Sequence, residues 1–495
     1  MSFLSSYNNS GIHYKLIAKE MGFVLALEAI LIFISWLVSI HYKESCAEPI
    51  AWSAGITLTV AILLSVIGFN TQAKSIHKRD SVITVTLTWL LFSIFGMLPF
   101  YISGTIPSFT DAFFETASGL TTTGSTILTD VEAIPKGLLF WRSLTQWMGG
   151  LGMIVFVLAF LPLIASGGSS QLYEEEVTGI APDKFRPRIG QIAKRLWGIY
   201  CIFTLLLYFL LVMGPMDSFD AWCHAFTTMS TGGYSTKQES IAYWNSPYID
   251  YTVSIFMLVG ATNFTLWYFL FKGGYKKFLQ NEEIRWFLSI VVITTIIITA
   301  GLRLSDVYAS VEESFRYSFF QVVSLITTTG FGTADFSLWG PFYWVILSLL
   351  MLICGCAGST SGGLKVIRFL VLSKNTINEF KKQVHPNAIL PVRVNGSVIS
   401  TDVVQRILAF SFIYIVIIFI SMLVFTAAGL NFQEAWSVAI SGISNVGPGL
   451  ENYGSYGNFA GMPSFAKWYY SFLMIVGRLE LFTVLILFTP GFWKR

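Results

Sequence analysis

Four times along the chain an apolar stretch runs into a short hydroxyl-rich string that ends in glycine. The strings are Thr121-Thr122-Thr123-Gly124, Ser230-Thr231-Gly232, Thr327-Thr328-Thr329-Gly330 and Ser444-Asn445-Val446-Gly447. A related phrase begins ahead of each at Phe109, Phe219, Phe315 and Phe432, and three of the phrases continue with Asp111, Asp220 or Glu434, then alanine and an aromatic residue. The spacing is roughly a hundred residues, the mark of an internal repeat. Polar, glycine-ended loops repeated inside apolar sequence suggest a ring of four around one axis, where backbone carbonyls replace the water shell of a cation.

Hydrophobic residues make up 54% of the chain and charged residues 12%, with a mean hydropathy of +0.64. That balance lies outside the range of soluble domains and implies an integral membrane protein. Apolar runs near bilayer-spanning length recur from end to end, so helices must satisfy the backbone in lipid and the fold class is all-α. Residues 1–20 are polar and the first apolar run, about 21–41, is long enough to remain as an anchor, which argues against a cleaved signal peptide. Cys46, Cys201, Cys223, Cys354 and Cys356 have neither disulfide nor metal spacing and read as packing residues.

Basic residues give the expected orientation. Lys74, Lys78 and Arg79 follow the second apolar run, and further clusters fall at 184–195, 272–285, 374–393 and 494–495. Two crossings separate successive clusters, so the positive-inside rule places them and both termini in the cytoplasm. The repeated loops then face outside, where Asp111, Glu115, Asp220, Asp250, Asp335 and Glu434 suggest an acidic vestibule.

The expected architecture is two introductory helices, about 17–41 and 49–70, then four units of outer helix, re-entrant half-helix and inner helix. Outer helices fall at 82–103, 192–214, 284–302 and 404–428; inner helices fall at 139–165, 247–271, 341–371 and 466–489. This makes about ten spanning helices. The half-helices, 109–120, 218–228, 312–326 and 431–443, are too short to span, with Ser108, Ser218, Ser310 and Asn431 as candidate caps. The corresponding divisions are a helix pair at 1–80 and repeats at 81–190, 191–282, 283–402 and 403–495.

A half-helix entering from outside points its C-terminus, carrying about half a negative charge, at the centre of the pore. Glycine at the end of the following strand can take a positive φ without strain, which lets successive carbonyls face one way. Hard oxygen ligands suit alkali cations. The expected ion-contacting residues are Thr122, Thr123 and Gly124; Ser230, Thr231 and Gly232; Thr328, Thr329 and Gly330; and Asn445, Val446 and Gly447. Other Gly-rich and hydroxyl segments in membrane helices serve close helix packing, which is the plainer reading.

These loops, the string Gln146-Trp147-Met148-Gly149-Gly150-Leu151-Gly152 and the later Gly355-Cys356-Ala357-Gly358-Ser359-Thr360-Ser361-Gly362-Gly363 resemble the Trk/Ktr/HKT superfamily of potassium transporters. The extra helix pair and the length are similar to the bacterial Trk membrane subunit, the TrkH/TrkG type, over nearly the whole chain. The resemblance implies gated potassium uptake across the bacterial inner membrane, with rubidium accepted and sodium less so. It also implies a homodimer with one pore per protomer, and a cytoplasmic nucleotide-binding subunit, TrkA, through which nucleotide would act. Members with serine at the first loop position tend toward sodium, and this chain has Gly124. The filter departs from symmetry: Gly330-Phe331-Gly332 and Gly447-Pro448-Gly449 have a second glycine, and the fourth loop lacks the threonines.

Two control points stand out. Gly355, Gly358, Gly362 and Gly363, among Ser359, Thr360 and Ser361, break the third inner helix near its middle, where a flexible segment under the filter could block the pore. By resemblance this loop acts as a gate; a tight helix crossing at Gly358 and Gly362 is the plainer alternative. Arg478 sits midway along the last apolar helix, where an unpaired charge is costly. It would repel cations below the filter, or hold helices together, and its spacing from Glu480 disfavours a direct bridge.

Coupled transport with protons or sodium is the alternative within transport, and it calls for broken helices in two matching halves. Against an enzyme, His13, His41, His77, His224 and His385 are scattered and neither HExxH nor GxSxG occurs. The charged stretches 172–190 and 374–402 are long enough to dock a partner.

Overall fold

The computed structural model describes residues 12–69, 78–159 and 189–493. Lys74, most of the 172–190 stretch and the terminal Lys494-Arg495 lie outside the described residues.

The chain opens on an antiparallel helix pair, α1 (Tyr14–His41) and α2 (Ala47–Ile67). These helices approach closely where a Cβ on Gly22 would collide with Ser65 and with the Ala61 carbonyl. Serine and threonine in α2 turn their hydroxyls back onto their own helix, as Thr57 does to the Ser53 carbonyl at 2.8 Å, which satisfies them in an apolar medium.

Four units follow. The first contains α3 (Lys78–Gly96), α4 (Leu98–Ile102), the half-helix α5 (Phe109–Leu120) and α6 (Lys136–Ala159). The second contains α7 (Ile189–Val212), half-helix α8 (Ser218–Met229), α9 (Pro247–Ala261) and α10 (Phe264–Phe271), with α11 (Tyr275–Gln280) as connector. In the third are α12 (Glu282–Leu304), half-helix α13 (Val311–Ile326), α14 (Pro341–Ile353) and α15 (Val366–Val384). A two-residue-per-strand hairpin, β1 (Arg393–Val394) with β2 (Ser397–Val398) in the register Arg393 to Val398, leads to the fourth. That unit holds α16 (Thr401–Ala427), half-helix α17 (Phe432–Ser444), α18 (Ser464–Arg478), α19 (Phe482–Leu485) and α20 (Pro490–Trp493). The fold is an all-α multi-pass membrane fold.

Six described helices are long and apolar enough to span a bilayer, and eight if two bent pairs count as one span each. The expected ten are reached by adding two inner helices that fail on composition or length. One is α6, which carries the buried polar residues Arg142 and Gln146; the other is α14, which stops at Ile353. The expectation of one broken inner helix is corrected. Besides the third, the second bends by 100° between α9 and α10, and the fourth by 110° between Ser464–Arg478 and Phe482–Phe488. Asn263 restarts the second by capping Thr265 N–H at 2.8 Å; in the fourth, Glu480 and Leu481 take φ of 56° and 40°.

Packing follows this layout. Phe23, Ile62, Phe209, Ile293 and Phe412 are exposed, as lipid-facing side chains are, while one continuous core runs through all four units. A separate small cluster, including Leu370, Val371, Val394 and Val403, seats the hairpin against α15 and α16.

Candidate functional site

The four half-helices are built alike. Ser108, Asp217, Ser310 and Asn431 accept from the backbone N–H three residues on, and the last two complete capping boxes with Glu313 and Glu434. The second cap is therefore Asp217, at 2.7 Å from Asp220 N, rather than Ser218, which is the first helical residue.

Each half-helix ends in the same turn. Thr122, Thr231, Thr328 and Asn445 are left-handed, with φ of 52°, 52°, 59° and 57°. The following residue returns its N–H to a carbonyl five positions back: Thr123 to Ser118 at 2.9 Å, Gly232 to Thr227 at 2.8 Å, Thr329 to Ser324 at 2.9 Å and Val446 to Ser441 at 3.0 Å. A β-branched residue resists positive φ, so three threonines there store strain of the kind found at functional sites. Asparagine adopts that conformation readily, which makes the fourth loop's departure an easy one for the backbone.

The glycines close a ring. A Cβ on Gly124 would collide with the Gly232 carbonyl, one on Gly233 with Thr329, one on Gly330 with Val446, and one on Gly447 with Thr123. Each loop abuts the next and the fourth returns to the first. The ring also fixes the register of the second loop. Its left-handed glycine is Gly233, with φ of 78°, whereas Gly232 occupies the position of Thr123, Thr329 and Val446. Two consecutive glycines hide this slip in the sequence.

All four left-handed glycines line one partly open cavity together with Ser125, Arg142, Tyr234 and Lys237. Among the described residues the lining of this cavity holds no carboxylate, while Asp130, Glu132 and Glu239 of the same loops are exposed. Other acids of this region serve as caps and partners: Glu115 binds Arg142 at 2.7 Å, Asp250 binds Arg316 at 2.7 Å and Asp111 binds Lys467 at 2.6 Å. Burial makes pairing obligatory for such groups.

Three side chains clamp the ring from behind. Gln146, whose role the sequence left open, donates to the Gly232 carbonyl at 2.6 Å and accepts from Tyr234 N at 3.0 Å, gripping both sides of Gly233. Asn445 joins the fourth loop to the first by donating to Thr123 Oγ1 at 3.0 Å, and also donates to the Met474 carbonyl at 2.8 Å. Ser125 donates to the Gly447 carbonyl at 2.9 Å.

On the face of the ring opposite the glycines lies the break in the third inner helix. Between Ile353 and Val366 the chain is non-helical, with positive φ at Cys354, Gly358, Gly363 and Lys365. Thr360 Oγ1 meets Thr231 Oγ1 at 3.2 Å; Ser361 Oγ meets Thr328 Oγ1 at 3.2 Å, which also accepts from Gly362 N at 2.9 Å. A Cβ on Gly362 would strike the Ser444 carbonyl, one on Gly355 would meet Ser361 at 2.8 Å, and Ser359 Oγ donates to the Cys356 carbonyl at 2.6 Å. The segment therefore covers three loops. Thr122 Oγ1 and Asn445 Oδ1 remain buried without a hydrogen-bond partner among the described residues.

Charged groups hold this segment. Arg478, 1% exposed, donates to the carbonyls of Thr360 at 2.7 Å and Gly149 at 3.1 Å. Glu480 pairs with Arg368 instead, as the helical spacing required. Two further residues were not anticipated: Lys365 donates to the Ser361 carbonyl, and Glu283 of α12 accepts from Ala357 N at 2.7 Å. Among the described residues no group of His, Cys, Asp and Glu could hold a transition metal.

A family model described as "TrkH: Cation transport protein" matches residues 53–494. The chain is 37% identical to the Trk system potassium uptake protein TrkH of Escherichia coli K12 over 98% of its own length and 100% of that protein. It is 33% identical to TrkG of the same organism over 97% and 99%. The crystal structure of the potassium transporter TrkH from Vibrio parahaemolyticus superposes with a TM-score of 0.88 at 34% identity, covering 98% of this chain and 100% of that one. These are transport proteins and not enzymes. The sequence folds to close a ring of four loops, such relatives match the chain over nearly its whole length, and the chain belongs to the TrkH family of cation transport proteins.

Proposed function

We propose that the chain takes up potassium through a channel-like pore whose selective element is the four-loop ring. The observation that carries this reading is the closure of the ring, in which the carbonyls of Thr123, Gly232, Thr329 and Val446 each meet the glycine of a neighbouring loop. A cation entering there exchanges water for backbone oxygen, in loops that carry Thr122, Thr231 and Thr328 at the left-handed position. The half-helix dipoles end at the same place. The curated relatives are named as potassium uptake proteins, which supports potassium as the cargo; in this reading rubidium substitutes for it and sodium is the poorer ion.

Residues 354–365 act as the gate in this reading, with Gly355, Gly358, Gly362 and Gly363 supplying the backbone freedom to move. Arg478 holds the closed position and disfavours cations beneath the ring. The protein works as a homodimer in the bacterial inner membrane, with both termini cytoplasmic, and answers to a nucleotide-binding subunit of the TrkA kind.

Ion-coupled symport is a second reading, favoured by the interruption of three inner helices rather than one. Rubidium influx into liposomes holding the purified protein separates the two. A channel-like pore gives influx driven by the rubidium gradient alone, competed by potassium. Influx that appears only with an imposed proton or sodium gradient supports symport, and no influx with any alkali cation overturns both.

A further inference from the structure

Counting back seven residues from the left-handed position of each loop gives Glu115, His224, Gln321 and Val438, one on each half-helix. The first three do the same job with different chemistry. Glu115 accepts from Thr126 Oγ1 at 3.0 Å and from Ile127 N at 2.9 Å. His224 Nε2 meets Ser235 Oγ at 3.0 Å, and Gln321 Nε2 donates to the Ala334 carbonyl at 3.1 Å. Each bond ties a half-helix to the strand leaving its own loop, a few residues beyond the left-handed glycine. Valine cannot do this, and in the fourth unit the tether moves one residue back: Ser437 Oγ accepts from Leu450 N at 2.9 Å.

The histidine's tautomer follows from its partners. Nδ1 faces the Asp220 carbonyl at 2.7 Å, which can only accept, so Nδ1 carries the proton and Nε2 accepts from the Ser235 hydroxyl. Ser235 also ties the second loop to the first, because its carbonyl accepts from Arg142 Nη1 at 2.9 Å while Arg142 is bound to Glu115. The His224 ring lies 5.8 Å from that of Phe331, the residue after Gly330 in the third loop. His224 thus sits behind the junction of three loops, fully buried.

We propose that Glu115, His224 and Gln321 are positioning residues that set the diameter of the ring, and that His224 determines how well it discriminates potassium from sodium. The proposal rests on the reading of the ring as the selective element. Four tethers of different length and polarity hold the loops, so the ring's asymmetry is built by the half-helices as much as by the loop residues. Direct backbone closure leaves little slack, and a loop released by one hydrogen bond is free to close onto the smaller ion, whose ligand oxygens must come nearer, so the penalty for sodium falls.

The test uses the full-length protein in liposomes, with rubidium influx competed by potassium and by sodium. His224→Ala and Ser235→Ala are expected to retain influx while the preference for potassium over sodium falls about tenfold, the size of one lost buried hydrogen bond. His224→Gln, which restores the amide found naturally at Gln321, is expected to recover most of that preference. Unchanged competition ratios in both Ser235→Ala and a folded His224→Ala, with influx in the parent, overturn the inference alone. Absence of influx in the parent overturns the permeation reading and this inference with it.

Discussion

Arg478 Nη1 donates to the carbonyl of Thr360 at 2.7 Å, so the end of the fourth inner helix is tied to the middle of the segment that interrupts the third. Thr360 is in turn within 3.2 Å of Thr231 Oγ1, at the foot of the ring. A single buried guanidinium therefore holds the covering segment against the second loop, and it does so with carbonyl partners that leave its charge uncompensated.

Removing that anchor should open the path. A hydrogen bond to a charged group contributes about 1.5–3 kcal/mol, and each 1.4 kcal/mol is about tenfold in an equilibrium. Arg478→Ala is expected to raise rubidium influx about tenfold, read as the initial rate in liposomes. An equal or lower rate from a folded variant would show that Arg478 serves the open form.

At the first loop, Gly124 has a φ of 87° and a Cβ there would strike the Gly232 carbonyl. A non-glycine residue costs about 1–2 kcal/mol in that conformation, before the clash is counted. Gly124→Ser is expected to shift the reversal potential toward sodium by displacing the second loop. A reversal potential equal to that of the parent would mean that the loop absorbs the side chain elsewhere.

Behind the second loop, Gln146→Leu leaves the Gly232 carbonyl and Tyr234 N–H buried without their partner. Each orphaned group costs about 1–3 kcal/mol. We expect weaker competition by potassium in influx assays, with Gln146→Glu intermediate because it keeps the acceptor for Tyr234 and loses the donor. Parent-like competition by the leucine variant would remove Gln146 from the ring's support.

For stability, Arg316 is 7% exposed in its side chain and pairs with Asp250 at 2.7 Å, whereas Lys382 pairs with Glu379 at the surface. Breaking a buried pair costs about 3–5 kcal/mol, an exposed one about 0–1 kcal/mol. Arg316→Met is therefore expected to lower the melting temperature in detergent clearly, and Lys382→Gln hardly at all. Equal shifts would show that Asp250 finds another partner.

The half-helices were legible because their signals are local. Ser108, Ser310 and Asn431 cap as their side-chain chemistry requires, and the observed half-helix bounds fall within a residue of those read from the pattern. What sequence could not supply is tertiary. Whether Gly232 or Gly233 is the left-handed residue depends on which of them abuts the Thr329 carbonyl. The break after Arg478 does not fall on the neighbouring Gly477; Glu480 and Leu481 take positive φ where Arg368 captures the carboxylate. The Asn263 cap was visible inside its apolar run, but the 100° bend is set by Phe264 N–H bonding to the Gly358 carbonyl of the interrupting segment.

Charge was the least legible property. Glu115, Asp111 and Asp250 read as a cation-attracting surface, yet their partners Arg142, Lys467 and Arg316 come from elsewhere in the chain and neutralise them. The roles of Lys365 and Glu283 have no local signal, because their importance lies in holding Ser361 and Ala357, contacts that only the folded chain creates.

The central claim is that ions lose water at the ring, and the most direct test is anomalous diffraction from crystals of the protein grown with rubidium. The account predicts an anomalous peak on the axis between the carbonyls of Thr123, Gly232, Thr329 and Val446, diminished by added potassium more than by added sodium. Crystals of transport-competent protein whose rubidium peaks lie elsewhere, with none at the ring, would contradict it.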